Sequence, residues 1–105
     1  MAALKSKVFP NIATAKTTIH TVPADIANSK VSEIIFANKT ESEVTYQMFV
    51  KKHDGVEVVI LPTTLLHANE SQRHPTSIFL TAGDSVSIAC SAADSIDVML
   101  SYVEL

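Results

Sequence analysis

The residues able to do chemistry are few: four histidines, one cysteine and eleven carboxylates. His67 and His74 lie seven apart with Glu70 between them, a spacing that a zinc site could use if the three converged. The segment is polar and irregular, so both read as exposed loop histidines. His53 belongs to a turn, and His20 sits among threonines on a strand face, where it is expected to be solvated. Cys90 is in phase with Val86 and Ile88 and reads as a buried, inert thiol. A nucleophile needs an oriented base beside it, and no G-x-S-x-G turn is present. Asp84, Asp94 and Asp97 cluster in sequence around an expected hairpin. Asp84 and Asp94 fall at turns, where aspartate supports local backbone bonds, and the oxygen-dense spacing of a calcium loop is missing. No glycine-rich phosphate cradle occurs. The residues therefore predict no enzyme: no catalytic residue, no metal and no cofactor.

The totals point the same way. The 105 residues suffice for one domain with a modest core, and 47% are apolar, which argues against disorder. A net charge of -3 gives no basic face for nucleic acid. No apolar run nears the ~20 residues that span a bilayer. Lys5 and Lys7 have no apolar stretch behind them, so Met1–Phe9 does not read as a secretory signal. The two N-x-S/T triplets, at Asn38 and Asn69, then read as chance. A lone cysteine excludes an internal disulfide and fits synthesis in a reducing cytoplasm.

Period-two alternation sets the elements. Strands are expected over 14–22, 31–38, 43–52, 56–61, 76–80 (beginning as early as Ser71), 85–91 and 95–104. On them Ile34 and Phe36; Val44, Tyr46, Met48 and Val50; Val86, Ile88 and Cys90; and Ile96, Val98, Leu100 and Tyr102 share inner faces. Asp54-Gly55 is a strong hairpin signal. Thr81-Ala82-Gly83-Asp84 and Ala92-Ala93-Asp94 are further turns, and Pro62 is expected to stop its strand. Residues 62–75 are the least regular part, with Leu65 and Leu66 as anchors to the core. No window has a helical period. The expected fold is an all-β antiparallel sandwich, jelly-roll or Ig-like, of about seven to eight strands. Residues 14–105 form it; residues 1–13 are either an edge strand of the same domain or an extended arm docking on a neighbour.

Apolar residues also occupy faces that should be wet: Ile35 and Ala37, Val59 and Leu61, and Met99, Val103 and Leu105 on the last strand. A contiguous patch of this kind marks a protein–protein contact. With the apolar residues of the N-terminal segment, the candidate assembly interface is Leu4, Val8, Phe9, Ile12, Met99, Val103 and Leu105.

Several phrases carry a resemblance when taken in order. They are Thr21-Val22-Pro23-Ala24, Ile35 to Thr40, Leu61-Pro62, Leu66 to Ser71, Leu80 to Val86, and Ser91 to Glu104. Together they resemble the small β-sandwich virion proteins of tailed bacteriophages, over residues 14–105. The resemblance implies a structural subunit at the neck or collar, on the tail, or decorating the capsid. Its expected partners are further copies of itself and other virion proteins, without nucleic acid or membrane. It implies residence in the virion after synthesis in the host cytoplasm. A carbohydrate- or receptor-binding module is the rival class, and it would need aromatic platforms that a chain without Trp does not offer.

Overall fold

A computed structural model describes residues 3–104 of the chain. Eight strands follow in order: β1 (Ala3–Phe9), β2 (Thr17–Thr21), β3 (Asn28–Asn38), β4 (Val44–Lys51), β5 (Glu57–Leu66), β6 (Ser71–Thr81), β7 (Ser85–Cys90) and β8 (Ile96–Glu104). They form two four-stranded antiparallel sheets, β1-β8-β3-β6 and β2-β7-β4-β5. The β-sandwich expected from the alternation is the fold observed. Only β4 and β5 are consecutive strands paired in one sheet; every other connection among the eight crosses between sheets or leaves its neighbour unpaired. An Ig-like sandwich pairs several consecutive strands. The connectivity here is that of a jelly roll.

The alternating residues of β3, β4, β7 and β8 build the core, and Ile34, Phe36, Met48, Val86 and Leu100 are fully enclosed between the sheets. Phe36 stacks on Tyr46 with ring centroids 4.1 Å apart. Ile12, which precedes β2, also packs into this core.

Three expectations are corrected. Residues 91–95 do not make a hairpin, because β7 and β8 lie in opposite sheets. Pro62 does not end its strand. β5 runs on to Leu66 along a sheet edge, where a missing N–H costs no ladder bond, and the register slips there, Met48 facing Leu61 and Tyr46 facing Thr64. Residues 62–75 are consequently mostly strand, joined by a short turn at 67–70. Of its two expected anchors, Leu66 is buried and Leu65 is exposed.

Both glycines have positive φ, +96° at Gly55 and +87° at Gly83, but their surroundings differ. A Cβ at Gly55 would meet open space, whereas one at Gly83 would stand 2.9 Å from the Cβ of His53. Gly83→Ala should therefore add a clash to the backbone strain and cost about 2–3 kcal/mol, against about 1 kcal/mol for Gly55→Ala. Urea midpoints of the two variants measure the difference, and equal midpoints would remove the packing argument.

Candidate assembly surfaces

The titratable side chains do not converge. Among the described residues no three of His, Cys, Asp or Glu stand as a metal-binding group. His67 lies in the β5–β6 turn, with Nδ1 3.1 Å from Glu43 Oε2. His74, expected in a loop, is on β6 and half-buried, with Nε2 2.6 Å from the Tyr46 hydroxyl and its ring edge-on to Phe36. That hydroxyl also lies 2.6 Å from Gln72 Oε1, to which it donates. Burial, with the nearby Glu70 charge, pushes the Tyr46 hydroxyl up to about 12. The Cys90 thiol is buried and within 3.4 Å of the carbonyl oxygens of Ile12, Ala13 and Ala92, which can accept from it.

His20 departs most from expectation. It is 2% exposed rather than solvated. The pairing of β2 with β7 slips between Thr18 and His20, so Ile19 and His20, though adjacent, both turn inward. A bulge breaks the two-residue period that would put neighbours on opposite faces. Lys7 Nζ lies 3.2 Å from His20 Nδ1, and Ser29 Oγ 3.4 Å from Nε2. A lysine ammonium can only donate, so Nδ1 accepts and Nε2 carries the proton. Burial first, then the Lys7 charge, pushes this imidazole down to about 4, against a weaker upward pull from Glu104.

Asp84 sits at its expected turn but does more than close it. Its carboxylate is fully buried. It accepts from the backbone N–H of Thr81 and of His53, each at 2.8 Å, from Thr81 Oγ1 at 3.1 Å and from the Lys52 ammonium. His53 Nδ1 lies 3.1 Å away. Burial pushes this carboxyl up, but Lys52, the two N–H donors and the His53 ring outweigh it and hold it well below the usual carboxylate range.

What remains exposed is apolar surface. Pairing places Val8 beside Met99 and Met99 beside Ile35; further along, Leu4 is beside Val103, Val103 beside Lys30 and Lys30 beside Phe79. These two rows cross the outer face of the β1-β8-β3-β6 sheet, with Ser6, Ser101 and Glu33 between them. Leu4 is 79% exposed, Val8 71% and Phe79 65%. Val8, Phe9, Pro10, Ile35, Ala37, Val98 and Met99, with Asp97 among them, line an open groove of about 330 Å³. Leu4, Val8, Met99 and Val103 thus share one face. Phe9 is half-buried, packing against the core while also lining that groove, and Ile12 is within the core. Leu105 lies outside the described residues.

A second apolar surface is the free edge of β5. Val56, Val58, Val59, Ile60 and Leu65 are all exposed. Val59 was legible as a misplaced apolar residue. Val58 and Ile60 were not, because two register slips between β4 and β5 destroy the alternation. Phe79 was missed although it is out of phase with the inward Ile78 and Leu80, a signal that the sequence does carry.

β1 is patterned backwards for a lone sandwich. Lys5 and Lys7 pair with Tyr102 and Leu100, whose side chains are buried, while Leu4 and Val8 point outward. Lys5 is held by an ion pair to Glu104, and the Lys7 ammonium lies 5.3 Å from the Tyr102 ring centroid.

No known protein family and no curated protein sequence matches this chain. Its fold is similar to solved structures at low identity. A chain of the T13 infectious bursal disease virus particle superposes with a TM-score of 0.63 at 8% identity, over 99% of this chain and 31% of that one. A protein of the disulfide-linked pili of Bacillus endospore appendages gives 0.61 at 10% identity, over 98% and 86%. PirA gives 0.52 at 13%, over 90% of both. The chain thus spans about a third of the viral capsid chain and most of the pilus protein.

Proposed function

We propose that the chain is a non-enzymatic, self-assembling structural subunit of a tailed-phage virion, at the neck, collar or tail. The observation that carries self-assembly is the outer face of the β1-β8-β3-β6 sheet, where β1 turns Leu4 and Val8 to solvent while Lys7 leans over Tyr102 and His20. Such a face is satisfied when a neighbour covers it. The β5 edge offers a second exposed apolar surface. Two different patches on one chain suit a head-to-tail contact, which repeats into a ring or a filament. The virion assignment rests on the resemblance to phage sandwich proteins, and the likeness in fold to a virus-particle chain is compatible with it. A glycan-binding module is less favoured, since Tyr46 and Tyr102 are buried and the exposed Phe79 stands as a single ring.

A filament outside any virion is the second reading, favoured by the whole-length likeness in fold to the endospore pilus protein. Gold-labelled antibody on purified particles separates the two. Label at one axial position of a phage particle is expected; a chain absent from purified particles would sink the virion reading.

The surface itself is testable by charge. Val8→Glu or Met99→Glu places a carboxylate in the apolar row, which an assembled contact would have to desolvate. The assembly midpoint concentration should rise 10- to 100-fold, read by sedimentation velocity. Both side chains are exposed, so the unfolding free energy of the subunit from urea titration should stay within about 0.5 kcal/mol of wild type.

A further inference from the structure

We propose that β1 is an exchanged strand: in the assembled protein Ala3–Phe9 of one copy pairs with β8 of a neighbouring copy, and Pro10–Asn11 is the hinge. The proposal rests on the self-assembling reading above and names its partner as a second copy of this chain.

Three observations converge on it. First, β1 is attached narrowly. Its strand pairing is to β8 alone, and its charged side chains reach Glu104 from Lys5, and Tyr102 and His20 from Lys7. It lends the core only the half-buried Phe9. Exchange would rebuild every one of these contacts on a neighbour, so it requires no new chemistry.

Second, the chain is anchored immediately after β1. Asn11 N–H donates to Asp97 Oδ1 at 2.9 Å, Ile12 N–H to the Ile96 carbonyl at 2.9 Å, and Asp94 N–H to the Ile12 carbonyl at 3.1 Å. Ile12 is 6% exposed. Its buried side chain plugs its own sandwich whether or not β1 leaves. Pro10 has no N–H to give up, and Asn11 has φ of +57°, a conformation that asparagine tolerates. The break between what can leave and what must stay falls at these two residues.

Third, the inverted pattern of β1 leaves Leu4 and Val8 uncovered on a single copy. Inward charges protect a sheet edge from casual pairing, yet Leu4 and Val8 gain nothing from burial while β1 lies on its own β8. A strand that ties two copies together brings a second surface close to that apolar row at high effective concentration.

The test uses the facing pair Ser6 and Ser101. Cross-strand partners have Cα atoms about 4.5–5.5 Å apart, inside the range of about 4.4–6.8 Å that a disulfide bridges. The full chain carrying Ser6→Cys and Ser101→Cys is assembled, oxidised and run on a denaturing, non-reducing gel. Exchange predicts bands at multiples of the chain mass. A mixture of the two single variants should likewise give a covalent heterodimer. Inserting Gly-Ser-Gly-Ser after Pro10 lengthens the short connection whose constraint favours exchange over the intramolecular pairing, and should shift most of the disulfide to the monomer band. An assembled protein whose double variant links only within the monomer would overturn the exchange and leave the proposed function standing. A wild-type chain that sediments as a monomer at every concentration would overturn both.

Discussion

Asp84→Ala is expected to remove about 2–4 kcal/mol of stability, a large part of the 5–15 kcal/mol that holds a domain of this kind. The carboxylate is the only described acceptor binding together the β6–β7 turn, through Thr81, and the start of the β4–β5 hairpin, through Lys52 and His53. Alanine leaves the N–H groups of Thr81 and His53 without their acceptor; Asp84 itself is fully buried, while Thr81 and His53 lie at the surface. A donor left unpaired away from water costs about 1–3 kcal/mol, and less where water can reach it. Lys52 is partly exposed and can turn to water, so its lost partner adds less. Asp84→Asn separates shape from charge: it keeps one acceptor oxygen but points an amide donor at donors, and should cost about 2 kcal/mol. The urea midpoints of wild type and the two variants should fall in that order. An Asp84→Ala variant within 1 kcal/mol of wild type would show that the turn and hairpin hold each other without the carboxylate.

That hub shows where sequence reading works and where it stops. The turn at Thr81–Asp84 was legible, because Gly83 needs positive φ and aspartate suits a turn. Its reach to His53 was not, since nothing local ties residue 84 to residue 53. The inner face of β4 was legible in full, Val44, Tyr46, Met48 and Val50 being unbroken by any bulge on the core side. β2 and β5 were not, because bulges put His20 inside and leave Val58 and Ile60 outside. The 91–95 connection fails for another reason. Ala92-Ala93-Asp94 shows that the chain turns, and alternation shows which side chains of β7 and β8 face the core. Both statements are equally true of a hairpin and of an arch between sheets. Only the pairing of β8 with β1 and β3 chooses the arch. On the outer sheet face, Met99 and Val103 were legible as apolar side chains in wet phase, whereas Leu4 and Val8 were legible only as apolar residues of the N-terminal segment. Phe9 and Ile12 were grouped with them because a segment broken by Pro10 has no readable phase.

Acidification should remove about 3 kcal/mol of stability between pH 6.5 and pH 4, and His20 should account for it. In the folded chain this imidazole titrates at about 4, against about 6.5 when unfolded. Between those values the unfolded state binds the extra proton, so stability falls as pH falls. The contribution is complete above pH 6.5 and gone below about pH 4; each unit of difference is worth 1.36 kcal/mol. The groups facing the ring explain the direction. Lys7 on β1 repels a second positive charge, Ser29 and Tyr102 are neutral, and Glu104 on β8 compensates in part. Asp84 acts in a separate window. Its carboxyl is held below the ordinary value, so its contribution is intact above about pH 4 and is lost only as pH falls further. Urea midpoints at half-unit steps should therefore show two limbs. His20→Gln keeps a hydrogen-bonding side chain without the titration, and should flatten the upper limb while leaving the lower one. Because Lys7 is the nearest cation, the upper limb should loosen β1 first: amide exchange at Ala3–Phe9 should accelerate before that of β4. A His20→Gln variant whose upper limb keeps its slope would assign the acid loss to another group and remove the electrostatic tie between the buried histidine and the edge strand.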